Sequence, residues 1–241
     1  MLVRHLDARR LHATLVLATT VLLVVGCGGG GSGVPTAPGI VTPPGGTGTG
    51  SLLVQASVQG RDASPGVFET VFTATVYDTL NLPATAATVS VMGPSGGSVS
   101  LPEVVGTPGT YSQTVAGYQA GTYSLSVTWG SESISGARVT GPTIHTITSP
   151  VANSVLVAGQ SITVSWSRTG PAQSAKVESR NYESTDELDD LASSIPASGN
   201  PVSADQRVRV KRSNQIAVTA GLPGSTFEAT MRNTVEPLTA Q

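Results

Sequence analysis

From Ser51 onward the chain alternates apolar and polar side chains in short runs broken by glycine, proline and asparagine. Within 67–78 the even positions Phe68, Phe72, Ala74 and Val76 form one apolar face. A repeat of two residues turns one face of an extended strand to a core and the other to water. The same reading predicts strands over 51–58, 87–91, 98–105 and 132–140. Turns at Asn81-Leu82-Pro83 and Gly93-Pro94-Ser95-Gly96-Gly97 separate them. Gly109-Thr110-Tyr111-Ser112 and Gly121-Thr122-Tyr123-Ser124 repeat one phrase, each opening a strand, and the second continues to Trp129.

Beyond Gly141-Pro142, which is the predicted boundary, a connecting strand covers 144–150. A strand over 161–167 then puts Ile162, Val164 and Trp166 on one face. Further strands are predicted over 175–182, 206–212, 216–220 and 227–232. One stretch departs from this pattern. Ser184 with Glu187 three residues later has the form of a capping box, and Leu188, Leu191 and Ala192 follow at helical spacing, which predicts a short helix facing the core.

About 190 residues of short strands suit a pair of antiparallel sandwiches. The run from Val76-Tyr77-Asp78 through Pro83 to Val89-Ser90-Val91, with its late Gly-Thr-Tyr strand, resembles the immunoglobulin-like modules of bacterial surface proteins. Residues 158–167, with a core tryptophan, resemble the opening of a second immunoglobulin-like or fibronectin-like module. The expected class is all-β: two antiparallel immunoglobulin-like β-sandwich domains, at 51–141 and 142–241, after a signal peptide and a disordered linker.

The N-terminal segment has a different pattern. Arg4, Arg9 and Arg10 precede an apolar run from about Leu11 to Val25, too short for a membrane span of about 20 residues but of the form of an export signal. It ends in Val24-Val25-Gly26-Cys27, which resembles the lipobox of bacterial lipoproteins. The resemblance implies cleavage before Cys27, acylation of its thiol, and membrane attachment by the acyl chains. Gly28 stands where inner-membrane retention usually places Asp, so in a cell with two membranes the outer one is expected. Residues 27–50 are Gly, Ser, Thr and Pro-rich and read as a tether spanning about 25–30 Å.

Composition narrows the chemistry. The 241 residues carry one cysteine, which lipid would consume, so the exported part is expected to fold without disulfides. Loss of the signal, with Arg4, Arg9, Arg10 and Asp7, takes the formal charge of −2 to about −4, which offers no field for nucleic acid. His145 is the only histidine after residue 26, which excludes a multi-histidine metal site and leaves one imidazole, expected as a solvated side chain of a strand. No nucleophile elbow, phosphate loop or zinc-protease pattern occurs.

Two charged stretches remain as candidate sites, both in the second module. Asp186, Glu187, Asp189 and Asp190 lie close enough to repel, and a Ca²⁺ ion bridging them would relieve that repulsion. In Arg207-Val208-Arg209-Val210-Lys211-Arg212, alternation aims Arg207, Arg209 and Lys211 to one side of a strand, a row suited to an acidic glycan or lipid headgroup. Of the aromatic side chains, Tyr77, Tyr118 and Tyr182 are candidates for exposure, and Trp129 and Trp166 for the core. The expected function is a non-catalytic binding or structural module anchored in the cell envelope, its partner a protein or glycan. The alternatives are a solute- or ion-binding lipoprotein with its site in the second module, and a carboxylate-based hydrolase.

Overall fold

The computed structural model describes residues 50–64 and 66–241; the signal, Cys27 and the tether up to residue 49 lie outside the described residues. The described chain is almost wholly extended. In order the strands are β1 (Leu53–Ser64), β2 (Val67–Tyr77), β3 (Thr88–Met92), β4 (Ser98–Leu101), β5 (Thr110–Ala116), β6 (Gly121–Trp129) and β7 (Glu132–Gly141). They continue as β8 (Thr146–Ser149), β9 (Val155–Leu156), β10 (Ile162–Ser167), β11 (Ser174–Glu178), β12 (Ala192–Ile195), β13 (Ser203–Ala217) and β14 (Thr226–Ala240). A single 3₁₀ turn, Ala197–Gly199, interrupts them. Among the described residues no helix is long and apolar enough to cross a membrane.

The strands form three sheets around two hydrophobic cores. One sheet runs β4-β3-β6-β7, a second β12-β10-β8, and the third has seven strands in the order β11-β13-β14-β1-β2-β5, with β9 also paired to β14. The first core lies between β4-β3-β6-β7 and the half of the large sheet built from β1, β2 and the start of β14. It contains Val54, Phe72, Val76, Tyr111, Leu125 and Ile134, and also Phe227, Ala229 and Met231. The second core collects Ile147, Ile162, Val164, Trp166, Val177, Ile195, Val208, Val210 and Leu238.

The fold is therefore an all-β sandwich architecture, but its two cores are not divided at Gly141. The β13–β14 hairpin pairs along its whole length, from Ser203↔Ala240 to Ala217↔Thr226. One end of it closes the second core, and the other returns to the first. There β14 lies parallel to β1, from Gln55↔Thr226 to Arg61↔Arg232. Val54 N–H donates to Ser225 Oγ at 3.0 Å, a contact between positions 171 apart. Residues 142–241 thus supply part of the first core as well as the second, and the strand predicted at 206–212 runs on without a break to Ala217, where a separate strand was expected from 216 to 220. The physical reason is burial: the inward face of β14 carries Phe227, Ala229 and Met231, and covering each large apolar side chain stabilises the fold by about 1.5–3 kcal/mol.

The seam between the cores is polar and closely bonded. Tyr118 Oη donates to Pro142 O at 2.7 Å, Asn214 Nδ2 to Thr140 O at 2.6 Å, and Asn233 Nδ2 to His145 O at 2.6 Å. Residues 140–145 are thus held by Tyr118 of the first core and by two asparagines of the β13–β14 hairpin. Gly60 permits the approach on β1, because a Cβ there would overlap the Tyr118 ring and sit 2.7 Å from Met231 Sδ.

Candidate functional site

The buried charges occupy the seam. Arg212 points inward from β13 and is fully buried. Its Nη2 and Nε lie 2.7 and 3.0 Å from Asp189 Oδ2, its Nη1 donates to Thr143 O at 2.9 Å, and Nη2 also reaches Gly170 O. Asp189 is also buried. It accepts from Trp166 Nε1 and from the Ala172 amide, both at 2.9 Å, and Arg168 forms a further ion pair at 2.9 Å. Burial pushes the Asp189 carboxyl up, but hydrogen bonds from Arg212, Trp166 and Ala172 outweigh it and hold the group below its ordinary value.

Asp189 is therefore committed to arginine and is not free for calcium. Glu187 accepts from Ser193 Oγ at 2.7 Å, Asp190 is exposed, and no three metal-ligating side chains converge among the described residues. The calcium expectation at Asp186, Glu187, Asp189 and Asp190 is corrected accordingly. So is the predicted helix. Glu187 pairs its backbone with Ala175, at 2.8 and 2.9 Å, and Ser184 Oγ accepts from the Val177 amide instead of capping a helix. Leu191 adopts φ 70°, a left-handed conformation that no α-helix accommodates, and the next residues form β12.

His145 is buried, not solvated as its strand-like surroundings suggested. Its Nε2 lies 3.1 Å from Val210 O, and Nδ1 has no partner. Burial, and then the Arg212 charge, lower it from 6.5 to about 4, so the ring is neutral and sealed from solvent near pH 7.

The outer face of the seven-stranded sheet gathers the opposite kind of group. Arg207, Arg209 and Lys211 project from β13 to this side, with Val208 and Val210 fully buried behind them, as alternation predicts. Cross-strand register then aligns cations that lie far apart in the sequence. Lys176 on β11 is opposite Lys211, Lys211 is opposite Arg232 on β14, and Arg232 is opposite Arg61 on β1, whose next neighbour is Glu69 on β2. Four cations stand side by side on four adjacent strands.

Three members of this row have a carboxylate partner and Arg232 has none among the described residues. Arg61 pairs with Glu69 at 2.6 Å, Lys176 with Glu183 at 2.9 Å, and Lys211 with Glu228 at 3.4 Å. Arg209 has only a 4.0 Å contact with Glu178. Arg232 and Arg207 have no carboxylate within ion-pair distance among the described residues. Burial, and then the Arg209 and Arg180 charges, lower Arg207 from its ordinary value. Nε of Arg207, Arg209 and Arg232, and Thr230 Oγ1 beside them, are buried without a hydrogen-bond partner. Sequence reasoning found the β13 members of this site and missed Arg61, Lys176 and Arg232. Each occupies an outward position of its own strand, but only the register brings them into line.

No aromatic platform accompanies the charges. Tyr118 is buried and its phenol is pushed well above the ordinary value by that burial, while Tyr182 packs on the second core. Trp166 is buried as expected, and Trp129 is half-buried with Nε1 donating to Thr85 O at 3.0 Å. Elsewhere a cleft of about 390 Å³ opens between β2 and β5 on one side and the β3–β4 turn on the other. It is lined by Phe72, Val99, Val115 and Tyr123, and no carboxylate faces it. The facing pair of acids that a carboxylate hydrolase requires is not found in this cleft.

No protein-family model and no curated protein sequence matches the chain. Among solved structures it is similar to the adhesin InvE of Yersinia pseudotuberculosis, at 18% identity and a TM-score of 0.23, over 76% of this chain and 58% of that one. It is also similar to the fibronectin(III)-like modules of CbhA from Clostridium thermocellum, at 12% identity and a TM-score of 0.24, over 77% and 94% of the two chains. The BSP domain of a biofilm associated protein aligns at 18% identity with a TM-score of 0.25, over 76% of this chain and 29% of that one. The chain therefore spans little more than half of the adhesin structure. The all-β class rests on the strands and cores themselves.

Proposed function

We propose that this chain is a non-catalytic binding or structural module of the cell envelope, held to a membrane by acyl chains on Cys27. The observation that supports it most is how the titratable groups are divided. Those inside are engaged structurally: Asp189 by two arginines, and His145 neutral and enclosed. Neither is available to accept a proton from a substrate. Those outside stand on a broad, rigid sheet face, which is a surface for recognition. The rival ion-binding reading loses Asp189 to Arg212 and Arg168. The acidic and basic stretches of the second module do meet, but as the internal ion pair Asp189–Arg212.

For attachment, the support is the lipobox-like Val24-Val25-Gly26-Cys27 and the glycine-rich stretch behind it. Two or more acyl chains give durable anchoring, since each buried methylene contributes about 0.8 kcal/mol. The test is intact mass and membrane fractionation of the native protein beside Cys27→Ala. The native chain is expected to gain acyl mass and sediment with membrane, and the variant to do neither. If both are soluble and unmodified, the anchored reading fails.

A further inference from the structure

We infer that the outer face of the seven-stranded sheet binds an acidic polysaccharide, with Arg232, Arg209 and Arg207 as its central contacts. This rests on the binding-module reading above and names the ligand class of that module. Like charges directly opposite on neighbouring strands are unfavourable, and here Lys176, Lys211, Arg232 and Arg61 occupy four strands in succession. A fold that needed only a solvated face would gain by alternating their signs. Carboxylates pair with Arg61, Lys176 and Lys211, but Arg232, between two cations, has none, and its Nε is one of three arginine Nε atoms on this face without an acceptor.

The geometry selects the ligand. Adjacent strands are about 4.8 Å apart, so the row presents regularly spaced cations over roughly 14 Å. That suits an extended chain bearing an anion on each unit better than a single small anion. Around the arginines Thr230 is buried, Thr234 Oγ1 donates to Asp62 Oδ1 at 3.0 Å and Ser57 Oγ lies 2.7 Å from Thr73 Oγ1, while Tyr118 and Tyr182 lie on the cores and Tyr77 stands opposite Leu53 at the start of β1, away from Arg61, so a neutral sugar beside the row would find no ring to stack on. Carboxylated sugar units supply the anion for the guanidinium groups.

The test uses the full chain in detergent with polygalacturonate as the probe, dextran as the neutral control, and vesicles of phosphatidylglycerol as the competing anionic surface. Polygalacturonate is expected to bind and dextran not to, with affinity falling as salt rises. Arg209→Gln/Arg232→Gln is expected to weaken binding at least tenfold, while its ligand-free Tm stays equal to the wild type or rises, because the variant relieves repulsion. A structural role for these arginines predicts the opposite change in Tm. The assignment is overturned if polygalacturonate does not bind, if the double variant binds as the wild type does, if the variant's ligand-free Tm falls by several degrees, or if the vesicles bind more tightly than the polysaccharide. Acylation of Cys27 is measured separately, so failure here and failure of the anchored reading are distinguishable.

Discussion

Asp189→Asn isolates the charge at the seam. The substitution keeps the volume and an acceptor for Trp166 Nε1, but leaves Arg212 buried and without its counter-ion. Arg212 retains Thr143 O and Gly170 O, so two of its donors stay satisfied and the loss falls on the charge itself. Removing one partner of a buried ion pair costs about 3–5 kcal/mol, because the remaining charge stays desolvated without compensation. Arg168 gains nothing to replace it, but its side chain is 21% exposed and can turn to solvent. The expectation is therefore a loss of about 3–5 kcal/mol in urea unfolding, read as a lower midpoint at constant slope. Asp189→Leu/Arg212→Met removes both charges and is expected to be more stable than Asp189→Asn. A loss under about 1 kcal/mol for Asp189→Asn would refute the view that Arg212 depends on this carboxylate. It would equally reopen Asp189 as a ligand for something else.

Other expectations follow from named contacts. His145 is lowered from 6.5 to about 4, so between those values the unfolded chain binds a proton that the folded chain does not. Its contribution is complete above about pH 6.5 and is lost as pH falls towards 4, a decline of about 3 kcal/mol at 1.36 kcal/mol per pH unit. His145→Gln should flatten that part of the stability–pH curve measured by urea unfolding, and an unchanged slope would refute the assignment. The depressed Asp189 carboxyl acts in the same direction at lower pH, its stabilisation being lost as pH falls through its folded value. Tyr111 Oη donates to Ala84 O at 2.6 Å and accepts from Ala87 N–H at 2.8 Å, pinning the connection from β2 to β3. Tyr111→Phe should destabilise by about 1–3 kcal/mol, with faster hydrogen exchange at the Ala87 amide as the direct check.

Strand positions and their inward faces were legible because alternation is a local property. Phe72, Ala74 and Val76 on β2, and Ile162, Val164 and Trp166 on β10, all face a core as their spacing requires. Half of the candidate site was legible for the same reason, since Arg207, Arg209 and Lys211 share the outward side of β13. The stretch 184–192 was misread because a capping pattern and helical spacing compete with an extended alternative there. Backbone pairing of Glu187 with Ala175, and burial of the Asp189 carboxylate against Arg212, decide it. His145 was misread because nothing in its neighbours along the chain indicates that β13 and β14 will close over it.

The sequence by itself determined the all-β class, where most strands begin, and which side of them is apolar. Every one of these follows from turn residues and a period of two within a few positions. Tertiary structure decided which strands meet. The parallel union of β1 with β14, the hairpin shared by two cores, the ion pair of Asp189 with Arg212, and the file of Lys176, Lys211, Arg232 and Arg61 all depend on contacts between distant segments. Register carries that information because a shift of one residue would turn each of these side chains to the opposite face. The preference is set by the summed burial of two cores and not by any single segment.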